Sequence, residues 1–335
     1  MDFQLSTSYH FASMQVILPK KLGLFRYSRW DAVPVAFAFV HLAYLVGIFL
    51  VFTRVHLAWQ LKVPLMALMG IVYSFSISWN INGISHNFIH NRYFNSTLLN
   101  RLFSLLESVD CLFSQVMYDY VHRRHHMGNA DRPGEDGQTI DWLSIYAHGH
   151  DGHAESMWSY FFLQFFRDDP KRTLREITAH NATEAKWGRM EMGLTGAVMV
   201  TGFLMSWKFM VFFMPFWYLG HCLSNLNGYF EHFGGNPDVP MAWGVSSYHK
   251  LYNLVWFNNG YHAEHHYRPR AHWTRMNALH ETIEEDQKRV GVRVIRPPHV
   301  FGFMDPNLCD EPLVPIKAAD VPGLEASDLV DIAAS

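Results

Sequence analysis

Eight histidines stand in three tight clusters, His86-Asn-Phe-Ile-His90, His122-Arg-Arg-His125-His126 and His262-Ala-Glu-His265-His266. Residues three and four apart share one face of a helix, so each cluster aims its imidazoles at one point. Imidazole binds iron, zinc, copper and nickel, and three such clusters offer more nitrogen than one ion can use. The spacing predicts two ions side by side. His232, in Asn227-Gly-Tyr-Phe-Glu-His232-Phe-Gly, is a ninth candidate ligand.

All-nitrogen ligation without thiolate suits non-haem iron that activates dioxygen. Hydrolytic zinc has three or four protein ligands and does not need so many. A ligating imidazole donates its other N–H to a carboxylate or carbonyl. Asp119 lies one turn before His122, Glu231 adjoins His232, Glu264 sits inside the third cluster, and Asn258 and Asn259 precede His262. These five are the expected supporting residues. His221, three turns before His232, is read as a channel, supporting or helix-packing residue. His148, His150 and His153 read as a solvated loop, and the other eight histidines are assigned no role.

The clusters must be positioned by apolar segments. Two runs, Ala32 to Phe52 and Val63 to Ile84, are each close to the ~20 residues that cross a ~30 Å hydrocarbon core. A second pair, Met192 to Trp207 and Phe209 to Tyr229, is broken only at Lys208. The predicted fold is all-α and integral to the membrane, with four transmembrane helices in two hairpins and a cytosolic helical cap that carries the histidines. Lys20, Lys21, Arg26, Arg29, Arg92, Arg101, Arg123 and Arg124 fall on the cap side, against Arg54, Lys62 and Lys208 on the other. The positive-inside tendency makes the cap side cytoplasmic, together with both termini and the metal site.

Between the hairpins, Leu98 to Tyr120 reads as a buried or surface-lying helix, Ser156 to Phe166 as an interfacial helix, and Gly128 to Gly152 as a loop. The chain divides into three regions: a cytosolic N-terminal segment 1–31, a membrane and cap domain 32–311, and a disordered acidic tail 312–335.

The composition agrees. The 335 residues are 49% hydrophobic and only 17% charged, against about 25% in ordinary soluble domains. Mean hydropathy is −0.04, so long polar stretches balance the apolar ones. A net charge of −3 gives no sign of nucleic-acid binding. Cys111, Cys222 and Cys309 are too scattered for a disulfide framework or thiolate metal site. The first thirty residues lack the short apolar run and cleavage site of a signal peptide.

In the order and placement of its three histidine boxes the chain resembles the integral-membrane fatty acid desaturase superfamily over roughly Ala32 to His272. His86 to His90 matches the H-x3-H box, His122 to His126 the H-x2-H-H box, and His262 to His266 the third. The resemblance implies a mushroom-like helical fold and a di-iron centre ligated by the box histidines and His232. It also implies oxidation of a fatty acid or acyl lipid with dioxygen as co-substrate. No rubredoxin-type or haem-binding segment is visible, so a separate electron donor (ferredoxin-, rubredoxin- or cytochrome-type, with its reductase) is expected.

Asn227 to Gly234 is similar to a stretch of membrane alkane hydroxylases. The segments after the first two boxes resemble desaturase-like decarboxylases that form terminal 1-alkenes. Desaturation is the leading expectation, with decarboxylation of a free fatty acid and hydroxylation as alternatives. Decarboxylation predicts a cation near the site for the carboxylate, and Arg123, Arg124, Arg268 and Arg270 are the candidates; they equally suit a lipid head group. A membrane metal carrier or sensor would need a polar path through the spans, yet only His41 and His221 lie deep in them.

Overall fold

The computed structural model describes residues 23–308 except Pro237. Most of segment 1–31, the tail 312–335, Lys20, Lys21, His10 and Cys309 lie outside the described residues. Among the described residues the fold is all-helical, with only isolated bridges at Phe25–Phe94 and Ser246–Val294.

Among the described residues, three helical stretches are long and apolar enough to cross a membrane: Arg29–Arg54, Trp59–His90 and Ala182–His232. In the first, α1 (Ala32–Arg54) is apolar on every side, and Phe39, Val40 and Leu50 point outward exposed. Such an all-round surface suits lipid rather than water. Lys62 closes the turn after α1 by donating to the carbonyls of Phe52 (2.9 Å) and Val55 (3.0 Å).

The second stretch is composite. Helix α2 (Trp59–Trp79) runs into a π-helical turn, Asn80–Ser85, and then into α3 (His86–His90). Polar residues late in α2 serve mainly packing. Ser74 donates to the carbonyl of Phe216 at 2.7 Å, and a Cβ at Gly220 would come within 2.7 Å of Ile77. Small residues let two membrane helices approach closely where no aqueous hydrophobic effect drives them together.

The third stretch, α8 (Ala182–His232), holds both later apolar runs, so the expected four spans correspond to three continuous helical stretches. Its interruption is at Ser206 (φ −162°, ψ 89°), not at Lys208. The Ser206 hydroxyl caps the second half of α8 by accepting from the Phe209 N–H at 3.3 Å. A Cβ on Gly202 would lie 2.6 Å from the Met210 sulfur, a contact that an unbroken helix could not make eight residues apart.

The remaining helices form the part that carries the site: α4 (Thr97–Cys111), α5 (Gln115–Gly128), α6 (Met157–Arg167), α7 (Pro170–His180), α9 (Lys250–Val255), α10 (His262–Tyr267) and α11 (Met276–Val290). Left-handed Leu112 (φ 57°) separates α4 from α5, and α6 turns Trp158, Phe162 and Phe166 outward. Glu191, fully buried in α8, ties α4 and α5 together. It accepts from the hydroxyls of Ser104 and Ser114, both at 2.6 Å, and from the Val116 N–H at 2.9 Å. A carboxylate on the first turn of α5 satisfies donors that the helix cannot use itself. The stretch from Gly128 to Gly152 is irregular but anchored, since Ile145 and Tyr146 join the core around Tyr229 and Phe230.

Candidate metal centre

Each cluster arrives on a short, restrained helix. His86 and His90 occupy α3, directly after the π-helical turn. His122, His125 and His126 lie one face apart on α5, whose start is capped by Ser114 accepting from the Met117 N–H at 3.2 Å. Helix α5 ends on Asn129 in the left-handed conformation (φ 51°), which asparagine tolerates. His232 is the last residue of α8, and His262, His265 and His266 fill α10.

The nine nitrogens sort into two groups, His86, His90, His122, His126 and His265 in one, and His125, His232, His262 and His266 in the other. Within each group the potential ligand atoms lie within 4.8 Å of one another. Seven of the nine residues are buried, with His90 and His126 half-buried.

Outward contacts fix the tautomers. His125 Nδ1–H donates to Asp141 at 2.8 Å and His266 Nδ1–H to the side-chain Oδ1 of Asn129 at 2.7 Å. His86 Nδ1–H donates to Asn259 at 3.1 Å, and His232 Nδ1–H to the Trp243 carbonyl at 3.2 Å. Asn259 has its amide nitrogen committed to Glu231 (2.7 Å) and Tyr252 (2.9 Å), so its oxygen must face His86. These four imidazoles therefore present Nε2 lone pairs inward.

The inward atoms are close. His125 Nε2 and His232 Nε2 stand 3.0 Å apart with both Nδ1 protons already given away. Two facing lone pairs repel; a shared cation removes that repulsion. His86 Nε2 likewise lies 3.1 Å from His122 Nε2 and 3.0 Å from His265 Nε2. The buried Nε2 atoms of His90 and His266 have no hydrogen-bond partner. Buried nitrogens without partners are costly in a protein and ordinary around a metal. The donor set fits two metal ions.

At five of the nine histidines electrostatics favour the neutral, ligating form. Burial, reinforced by neighbouring histidines, holds His122, His126, His262, His265 and His266 well below the usual imidazole pKa, hence neutral. At His125, burial lowers the pKa, but the Asp141 carboxylate outweighs it and the net shift is upward. The same carboxylate makes that imidazole a more basic ligand.

The expected supporting residues divide. Asn259 contacts His86, and Glu231 lies 3.7 Å from His262 Nδ1 while accepting from Asn227 and Asn259, both at 2.7 Å. Three others support no box histidine. Asp119 pairs with Arg92 and Arg123, each at 2.6 Å, and Asn258 (φ 63°) donates to the Trp273 carbonyl at 2.9 Å. Glu264 accepts from Ser246 (2.7 Å), Tyr248 (2.8 Å) and His280 (2.7 Å), which fastens α10 in place. Sequence reasoning misses Asp141 and Asn129. Asn129 is signalled by its place directly after α5, whereas Asp141 lies in a loop with no spacing cue.

A cavity of about 1020 Å³ reaches His86, His122, His125, His232 and His262, and so touches both groups. Phe113, Tyr118, Phe165, Met199 and Trp217 give it aromatic and apolar walls, and Asn82 and His221 also line it. Gln138, Thr139 and His148, with Arg167, Asp168, Asp169, Arg172 and Thr173, add a polar part. None of Arg123, Arg124, Arg268 or Arg270 lines this cavity. Arg123 is held by Asp119, Arg124 stacks on Trp142 at 4.2 Å, and Arg268 lies over Tyr267 at 4.0 Å. Arg167 and Arg172 do line it; Arg167 is neutralised by Glu155 at 2.5 Å.

A sequence model of the fatty acid desaturase family matches residues 58–298. The chain is 24% identical over 227 residues to a sphingolipid delta(4)-desaturase DES1-like protein of Oryza sativa subsp. japonica, covering 65% of each chain. It is 23% identical over 229 residues to one from Arabidopsis thaliana, covering 66% of this chain and 64% of the relative. The matches thus span just under two thirds of those relatives' own length. No solved structure matches the chain significantly.

Proposed function

The chain belongs to the fatty acid desaturase family, and on that premise we propose that it desaturates an acyl chain at two histidine-bound irons. His86, His90, His122, His126 and His265 would hold one ion, and His125, His232, His262 and His266 the other. The observation that carries this reading is the convergence of Nε2 atoms whose Nδ1 protons are already committed outward. Iron bound there supplies, with dioxygen and electrons from a separate donor, the oxidation that removes two hydrogens from adjacent carbons.

The chain's own residues position the substrate. Phe113, Tyr118, Phe165 and Trp217 hold an acyl chain against the histidines and exclude water. At the polar part, Arg167 is paired with Glu155 at 2.5 Å and Arg172 with Glu176 at 3.6 Å, so each guanidinium already faces a carboxylate. That balance suits an uncharged, amide- or ester-linked head group better than a free carboxylate. The relatives' names, which specify a sphingolipid, point the same way. With no candidate arginine in the cavity, decarboxylation of a free acid draws no support from the site.

The membrane arrangement that fits is four crossings in two hairpins, with α8 turning back at Ser206. Arg26, Arg29, Arg92 and Arg101, on the histidine side of this arrangement, support a cytoplasmic position for that side by the positive-inside tendency.

The test is gas chromatography–mass spectrometry of lipids and headspace from cells making this chain or its His265→Ala variant. An internal double bond at unchanged chain length, absent in the variant, is the expected product. A hydroxylated chain or a terminal alkene one carbon short would overturn desaturation.

A further inference from the structure

A second cavity, of about 490 Å³, shares no lining residue with the one at the histidines. The two use different faces of α5: Tyr118, Val121 and His122 line the first, whereas Val116, Asp119, Tyr120 and Arg123 line the second. Four guanidinium groups surround this second space, from Arg26, Arg92, Arg101 and Arg123. Among the described residues, two carboxylates, Asp119 and Glu184, line it with them.

Those carboxylates are already divided. Asp119 is shared between Arg92 and Arg123, each at 2.6 Å, and Glu184 pairs with Arg101. Arg26 faces no carboxylate among the described residues; its guanidinium only rests over Tyr27 at 5.2 Å. The cavity therefore carries two positive charges in excess, in a recess rather than on an open face. Converging guanidinium forks match the paired oxygens of a phosphate, which a single ammonium or an apolar ligand would not require.

The position narrows the ligand further. Arg26 precedes the first candidate span by three residues, and Glu184 lies in the first turn of α8, eight residues before the apolar run at Met192. The cavity sits where helices leave the apolar zone, at the level of lipid head groups.

We propose that this cavity binds a phosphate ester, either a soluble phosphomonoester or the phosphodiester of an anionic lipid. Binding is separate from the acyl cavity and does not depend on the metal ions. An incoming phosphate would be gripped by Arg26 and would compete with Glu184 for Arg101 and with Asp119 for Arg92 and Arg123.

The experiment is microscale thermophoresis of the purified full chain in a non-ionic detergent. The probes are sn-glycerol 3-phosphate and short-chain phosphatidylglycerol, each titrated at low and high salt. Arg26→Glu is the primary variant, because Arg26 has no ion pair among the described residues whose loss could unfold the protein. Arg289→Glu in α11 is the control.

Saturable, salt-sensitive binding of at least one probe, weakened at least tenfold by Arg26→Glu and unaltered by Arg289→Glu, is the expected result. Tighter binding of glycerol 3-phosphate assigns the site to a soluble ester, and tighter binding of phosphatidylglycerol assigns it to a lipid. Failure of both probes to saturate, or equal binding by the Arg26→Glu protein, would overturn the proposal. So would capture of an acidic redox protein by this face without any phosphate binding.

Discussion

Asp141 accepts a 2.8 Å hydrogen bond from His125 Nδ1 while remaining wholly shielded from solvent. Its carboxylate also accepts from the backbone N–H groups of Ala130 (3.1 Å) and Leu143 (2.7 Å), so the loop is folded around this carboxylate. Asp141→Ala should lower metal affinity at the His125 group by about 10- to 100-fold. Asp141→Asn, which keeps an acceptor, should lose less. Metal analysis of the purified variants checks this; full metal content in Asp141→Ala would show that His125 needs no such partner.

Removing a ligand is more drastic than removing its support. His125→Ala and His265→Ala should each abolish turnover and lower bound metal while leaving membrane insertion intact. His150→Ala, on an exposed loop, should retain activity within about twofold. Product analysis and metal content together separate these outcomes, and an active His265→Ala enzyme would sink the two-metal reading.

Gly196 lines the large cavity and has no neighbouring atom within 4 Å of where a Cβ would stand. Gly196→Leu should therefore be accommodated by the fold while filling space that an acyl chain would use. Turnover of the longest accepted chains should fall roughly tenfold relative to shorter ones. Competition between saturated chains of different length measures this; an unchanged preference would place the acyl chain elsewhere.

Glu107 and Asp110 are buried, and neither carboxylate oxygen of Asp110 has a partner. Burial holds both carboxyls well above the usual carboxylate range, the charge of Glu107 raising Asp110 further. In the unfolded chain both acids ionise near the ordinary carboxylate pKa, whereas in the fold they stay protonated to higher pH. Stability is therefore greatest below the ordinary range and falls as pH rises towards the folded values. Melting temperature in detergent should decline across neutral pH, and Glu107→Gln should flatten that slope. An unchanged slope in the variant would assign the decline to other groups.

The histidines are legible because helical spacing alone puts positions three and four apart on one face. Arg123 and Arg124 are expected near the site because they lie between box histidines, but helical spacing turns them off the ligand face, where Asp119 holds one and Trp142 the other. Asp141 is not legible: it reaches His125 from 16 residues away through an irregular loop, and such a contact leaves no periodic trace. The break in α8 is expected at the charged Lys208, but a capping serine two residues earlier makes it. Asp119 and Glu264 sit close to histidines in sequence, yet each is taken by stronger donors nearby, arginines in one case and hydroxyls with His280 in the other.

The π-helical turn at Asn80–Ser85 sets the rotational phase of everything beyond it. Each residue of an α-helix advances about 100° around its axis. A wide turn that absorbs an additional residue lets α2 keep its own packing face while His86 and His90 point into the histidine cluster. Deleting one residue from Asn80–Ser85 would leave the span's length almost unchanged, yet swing both histidines about a quarter of a turn from their partners. The aim of the first histidine pair is thus a property of backbone winding, adjustable without altering any ligand.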